Sequence, residues 1–383
     1  MPKNIRRNFI LNGLLLVTFS LLTSCAILKP TKPGIGRTVD WDELTDWTLD
    51  RHAETWPALL NSCLKVRSRP GWQVICEQAA MLDQPSDIEA RQFYENWFRP
   101  FKLNGSKRNS KGLITGYYEP LLQGSMTQSD KYKWPIYQQP EDLLIIDLGE
   151  LYPALANKRV RGRINGNRVL PYYSREQIEA DRSLLSGYEL LWVDNRDDAF
   201  FLQIQGSGRV QLDTGEYLKL GYANQNGHPY HAIGKTLIER GELSRQEVSL
   251  FTIRNWLVEN PNQAEELLNL NPSYVFFTLK PDSNQGPVGS LNVPLTPERS
   301  IAIDPALLDL GVPVWLETNL PGNQSAEYNR LVLAQDTGGA IKGPLRADLF
   351  WGHGEDAENA AGLMKERGNL FVLLPKSVNP EDL

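Results

Sequence analysis

Apolar residues recur along this chain at two periods, and the change of period divides it. From about Trp41 to Phe101 the spacing is helical. Leu44, Trp47, Leu49 and His52 open a periodic face, and SDIEARQFYENWF begins with Ser86, a residue type that caps helix N-termini. KGLITGYYEPLL then turns to strand character. Between about 121 and 275 the pattern is mixed. ELLWVD and AFFLQIQGSGRVQL read as strands, the second with Leu202 and Ile204 on one face and Phe201, Gln203 and Gln205 on the other. AIGKTLIERG and SRQEVSLFTIRNWLVEN read as helices, one ended by Gly241 and one capped by Ser244. The last hundred or so residues hold YVFFTL, SIAID, PVWLE, RLVLAQD, LRADLFW and NLFVLLP, short apolar runs between Gly and Pro turns. Many short strands predict a compact barrel rather than a doubly wound sheet.

The N-terminus departs from both patterns. Lys3, Arg6 and Arg7 precede an apolar run, Phe9 to Leu22, too short for a stable bilayer span. Leu22-Thr23-Ser24-Cys25 follows. This is a signal peptide, residues 1–24, whose end resembles a bacterial lipobox. That resemblance implies cleavage before Cys25 and lipidation of its thiol. Ala26, rather than Asp, next to the cysteine implies the outer membrane, with the domain on the periplasmic side. An ordinary secretory signal with an incidental cysteine is the alternative. Ala26 to Thr38, rich in Pro, Gly and Lys, reads as a tether, with the folded part starting near residue 41. Length, 383 residues, allows two cores, and a net charge of −6 without a basic stripe argues against nucleic acid. Cys63 and Cys76 lie symmetrically about Arg69-Pro70. If Pro-Gly turns a helical hairpin, the thiols face each other and a disulfide forms; two buried small apolar residues are the alternative.

Candidate chemistry sits at strand ends. SIAID ends in Asp304, LVLAQD in Asp336, and LRAD carries Asp348. Alternation puts Leu345, Ala347 and Leu349 on one face and Arg346, Asp348 and Phe350 on the other, so Asp348 projects into a cleft. Gly338, Gly339 and Gly343 let the intervening loop pass close to something bulky. Any one such aspartate is most simply a turn or cap residue. Three around one glycine-rich loop suggest a site.

AQDTGGAIKGPLRADLFWG, with GYYEP, QGSGRVQL, GYANQNGHPYHAIGK, NPSYVFF and PERSIAID, resembles the membrane-bound lytic murein transglycosylase A family, over nearly the whole mature chain. The family's C-terminal part is a three-aspartate domain, and Asp304, Asp336 and Asp348 fall where its aspartates lie. The resemblance implies a double-psi β-barrel from 41–120 and 276–383, with a second, smaller β-barrel-like domain, 121–275, inserted, and glycan in the groove between them. It puts the catalytic acid on Asp348, with Asp336 beside it and Asp304 supporting. It also favours Tyr117, Tyr118, Gln203, Gln205, Ser207, Gly338 and Gly339 as substrate contacts. The expected substrate is peptidoglycan glycan, with no cofactor and no metal; the expected membrane partner is the outer membrane, and other cell-wall enzymes are possible partners.

A glycosidase uses two carboxyls. A lytic transglycosylase needs no water, because the muramyl 6-hydroxyl attacks its own anomeric carbon, and one carboxyl then serves as acid and base in turn. Phe350, Trp351 and Asp336 would raise the pKa of Asp348, whereas Arg346 and Lys342 would lower it. Glu119 is a candidate second acid for a hydrolytic muramidase, and a glycan-binding lipoprotein without activity is the other rival. His228 and His231 in HPYH read as structural rather than zinc ligands, and GHGEDAENAAG as a strand-to-helix turn rather than a dinucleotide fingerprint.

Overall fold

A computed structural model describes residues 34–105, 111–155, 160–283 and 285–379. The expected signal peptide and Cys25 lie outside these residues. Among the described residues no helix is long and apolar enough to cross a membrane.

Helices Trp56–Val66, Trp72–Met81 and Asp87–Trp97 make up most of the N-terminal part. Ser86 caps the third. Its hydroxyl accepts from the Glu89 amide while the Glu89 carboxylate accepts from the Ser86 amide. The first two helices form a hairpin whose turn ends at Gly71, φ 80°, and the Cys63–Cys76 disulfide joins them with Cα atoms 5.4 Å apart. Two boundaries differ from expectation. Phe98–Asn104 is a strand, not helix, since Pro100 cannot continue an α-helix and Phe98 and Phe101 are buried. Gly34–Thr38, expected as tether, is a strand paired antiparallel with it.

Six strands close into a barrel. Gly112–Glu119 pairs with Arg346–His353, which pairs with Ser300–Ile303, then Asn323–Thr337, then Pro313–Leu320, then Lys365–Pro375. That last strand returns to Gly112–Glu119, leaving the ring without an edge. Ile114, Leu316, Val332, Ala347, Leu349 and Val372 fill the core, each fully buried. Arg299, 1% exposed, fastens the N-terminal segment to this barrel through Asp50 at 2.8 Å and Glu54 at 2.8 Å.

The inserted module has a six-stranded sheet in the order Val275–Pro281, Tyr217–Gln225, Gly208–Leu212, Leu121–Ser125, Glu189–Val193, Trp134–Tyr137. A bridge between Gln138 and Phe277 brings its two edges together. The Val275–Pro281 strand pairs antiparallel with Tyr217–Gln225 and so belongs to this sheet. Residues 199–205, expected as strand, belong to helix Arg196–Gln205. Asn195 caps it by accepting from the Asp197 and Asp198 amides, two acids sit in its first turn, and Gly206 at φ 80° ends it. The continuous apolar run Ala199–Leu202 is a helix face buried from several sides. Ser249, not Ser244, caps Leu250–Glu259; Ser244 caps the preceding turn through Glu247.

Candidate active site

The site is written in strand register. Thr115 stands opposite Asp348, Asp348 opposite Ala302, and Ala302 opposite Asp336. Side chains at paired positions share a face, so these four form one row across the barrel wall. Buried Ala302 is the position between the two aspartates in this register. On either side of Asp348, Ala347 and Leu349 point into the core.

The two carboxyls are treated differently. Asp336 Oδ1 accepts from the Ser290 amide and hydroxyl, each at 2.9 Å, and from the Thr337 amide at 2.8 Å. Its Oδ2 accepts from the Tyr117 hydroxyl at 2.9 Å. Burial still holds its pKa above the usual aspartate value, against these four donors. Asp348 accepts a short hydrogen bond from Thr115 at Oδ1, and no hydrogen bond involves its Oδ2 among the described residues. Burial raises its pKa, Arg346 and Thr115 oppose the shift, and Asp336 adds to it. Arg346 acts partly through Thr115. Its Nη2 donates to Thr115 Oγ1 at 2.8 Å; a guanidinium accepts nothing, so the hydroxyl proton is left for Asp348. Tyr117 packs on Phe350 with centroids 5.3 Å apart, and burial beside Asp336 keeps its phenol protonated.

Other predicted residues fall elsewhere. Asp304 is a loop anchor: it accepts from the Gly343 amide at 2.8 Å and from the Ala306 amide at 3.3 Å. Gly343 has φ 98°, which favours glycine, and Lys342 lies 3.8 Å from Asp304 rather than against Asp348. Trp351, on the opposite strand face from Asp348, donates to the Met364 sulfur at 3.3 Å. Gly339 is exposed, and a Cβ placed there would lie 3.8 Å from Tyr230 of the inserted module; Gly338 is closed in by Ile341.

Several expected substrate contacts are corrected. Tyr118 is 2% exposed and its hydroxyl donates to Glu358 at 2.8 Å, beneath helix Glu355–Leu363, so it offers no open sugar face. Gln203 is buried and accepts from Arg175, and Gln205 accepts from the Tyr118 amide at 3.1 Å. Both lie on a helix, so they do not share a strand face with Ser207, which follows Gly206 in the turn. Glu119 is 1% exposed and paired with Arg209 at 2.9 Å, which removes it as a second acid. His228 and His231 bond the Tyr172 carbonyl and the Thr236 hydroxyl, and no metal-binding cluster occurs among the described residues.

Tyr230, between those histidines, carries no signal of a site in the sequence. Its phenol is pushed up to about 12, mainly by burial, with Arg175 opposing and Asp348 contributing. The inserted module thus brings a tyrosine within the electrostatic reach of Asp348.

Barrel, insert and carboxyl row together present two half-buried carboxyl groups with raised pKa values on one wall of the barrel. Comparison with known proteins gives the class. Residues 113–278 match the MltA specific insert domain and 299–374 match the 3D domain. The chain is 34% identical over 280 residues to the membrane-bound lytic murein transglycosylase A of Escherichia coli K12, spanning 71% of this chain and 68% of that protein. Its fold is similar to the membrane-bound lytic murein transglycosylase of Agrobacterium tumefaciens, with TM-score 0.79, 29% identity, and 90% and 98% of the two chains covered. It is also similar to E. coli MltA with bound chitohexaose, with TM-score 0.67, 27% identity, and 90% and 95% covered. The chain belongs to the membrane-bound lytic murein transglycosylase A family and is a lytic transglycosylase.

Proposed function

We propose that the chain cleaves the β-1,4 bond between N-acetylmuramic acid and N-acetylglucosamine in peptidoglycan and leaves 1,6-anhydromuramic ends, with Asp348 as the single acid and base. Protonated Asp348 Oδ2 gives its proton to the glycosidic oxygen as the bond to the anomeric carbon breaks. The muramyl 6-hydroxyl closes on that carbon and returns its proton to the carboxylate. Atoms balance without water, and the nucleophile is intramolecular. The glycan lies in a groove between a double-psi barrel and the inserted module, beside the point where Gly339 and Tyr230 meet. Lipid on Cys25 holds the enzyme at the periplasmic face of the outer membrane.

The observation that carries this reading is the unequal engagement of the two carboxyls. Asp336 is held by four donors, which keeps it a fixed acceptor and charge rather than a base free to activate water. Asp348 keeps one oxygen free to exchange a proton. Glu119, the remaining candidate, is committed to Arg209. A hydrolytic muramidase lacks its second carboxyl here. Digestion of purified murein followed by mass analysis of the muropeptides tests the proposal. Products one water lighter than hydrolytic ones are expected; full-mass reducing ends, or no products, contradict it.

A further inference from the structure

The inserted module contains a buried cation without a carboxylate. Arg175 is 3% exposed. Its Nε donates to the Asn271 carbonyl at 3.0 Å, and its Nη2 to Gln203 Oε1 at 2.8 Å and the Ser273 carbonyl at 2.7 Å. Its guanidinium lies over Phe200 and Tyr274, with centroids 4.6 and 5.0 Å away. Nη1 makes no hydrogen bond, and no carboxylate stands within ion-pairing distance, among the described residues. A buried charge without a counter-ion is costly, and buried charges are ordinarily paired.

Arg175 lines a cavity of about 110 Å³, room for several waters. Charges of both signs surround it: Arg182, Arg196, Glu179 and Glu265. Trp134 forms part of its wall, with the Arg182 guanidinium over the indole at 4.6 Å. Glu179 is held by Arg182 at 3.2 Å and Arg196 by Asp197 at 3.0 Å. Glu265 is exposed. A simple anion would answer Arg175 but would gain nothing from the two glutamates. A zwitterionic head, with carboxylate and ammonium on one carbon, answers both.

The cavity is linked to the candidate active site. Asn271, whose carbonyl accepts from Arg175, also accepts from the His231 amide at 3.1 Å through its side chain, next to Tyr230. We propose that this cavity binds the free amino-acid end of a murein stem peptide, its carboxylate meeting Arg175 and its ammonium meeting Glu265 and Glu179. Only the assignment of that ligand to murein rests on the function proposed above. The free end of a diamino acid in a stem peptide has this zwitterionic chemistry, and a few extended residues of peptide span roughly 10 Å.

Calorimetry with peptide probes lacking sugar separates this site from glycan cleavage. The murein tripeptide ending in meso-diaminopimelate should bind, and the analogue ending in lysine, which lacks the distal carboxylate, should bind at least about tenfold more weakly, the weight of one charge-assisted bond. Arg175→Gln should abolish that preference, and the rim variants Glu179→Gln and Glu265→Gln should weaken the tripeptide several-fold. If Arg175→Gln fails to fold, the rim variants decide. Equal affinity for the two peptides, absence of heat with either, or unchanged affinity in both rim variants overturns the proposal. Free meso-diaminopimelate binding as tightly as the tripeptide would assign the cavity to a free amino acid, overturning the murein part.

Discussion

Barrel and inserted module handle buried charge in opposite ways. In the barrel wall, two carboxyls share a row, and the nearest cation reaches Asp348 through Thr115. In the module, a guanidinium is sunk among aromatic rings with no carboxylate against it among the described residues. The first arrangement raises carboxyl pKa values and suits proton transfer. The second lowers the pKa of Arg175 to about 10, still far above neutrality, so the charge persists and suits holding an anion. Under the two proposals, adjacent modules divide the labour of chemistry and binding.

The sharpest break in that comparison is Asp348→Asn. It should reduce release of muropeptides from murein by at least about a hundredfold, the lower end of a general acid–base contribution. The same substitution should raise the melting temperature at neutral pH. Because its folded pKa is raised, Asp348 binds its proton more tightly in the native state. Its contribution is present below the unfolded value and lost as pH rises through the folded one. The variant's advantage should therefore shrink on acidification. A variant with full activity, or one destabilised at neutral pH, would remove Asp348 from its role.

Asp336→Asn should cost less, about ten- to a hundredfold in kcat, since the amide keeps one acceptor but loses the charge and sets its NH2 against some of the present donors. Steady-state kinetics on soluble glycan strands measures this. Equal losses in the two asparagine variants would mean that the carboxyls act as a pair, as a hydrolase requires.

Thr115→Val sharpens the comparison by removing a hydrogen bond to the charged form of Asp348. The pKa of Asp348 should then rise, and the alkaline limb of the pH–rate profile should move up by about half to one unit. A downward shift would contradict the orientation assigned to the hydroxyl. The smallest effect is expected at Asp304. Asp304→Ala loosens the loop at Gly343 and should lower stability by about 1 kcal/mol in denaturant titration, with KM more affected than kcat.

Much of this architecture is legible in residue order. The apolar runs of the barrel strands, the Ser86 cap and the opposed faces of Ala347 and Asp348 follow from period and cap chemistry. The row through Ala302 does not, because it depends on which strands become neighbours, and the register links residues 115, 302, 336 and 348 across long sequence separations. Ser290 gives no sequence signal of its part in holding Asp336. Helix Arg196–Gln205 misled because four apolar residues in a row, Ala199–Leu202, fit a buried strand as well as a buried helix. Its identity lay instead in Asn195, Asp197 and Asp198 at one end and Gly206 at the other. Tyr118 and Gln205 were polar groups assigned to substrate that the fold spends on holding its own parts together.

Isotope tracing tests the central claim most directly. Murein is digested by the purified enzyme in water enriched in heavy oxygen, and the newly formed muramyl ends are weighed. Closure by the sugar's own hydroxyl predicts ends that carry no heavy oxygen. Heavy oxygen at the anomeric position would show that water is the nucleophile and that Asp348 does not work alone.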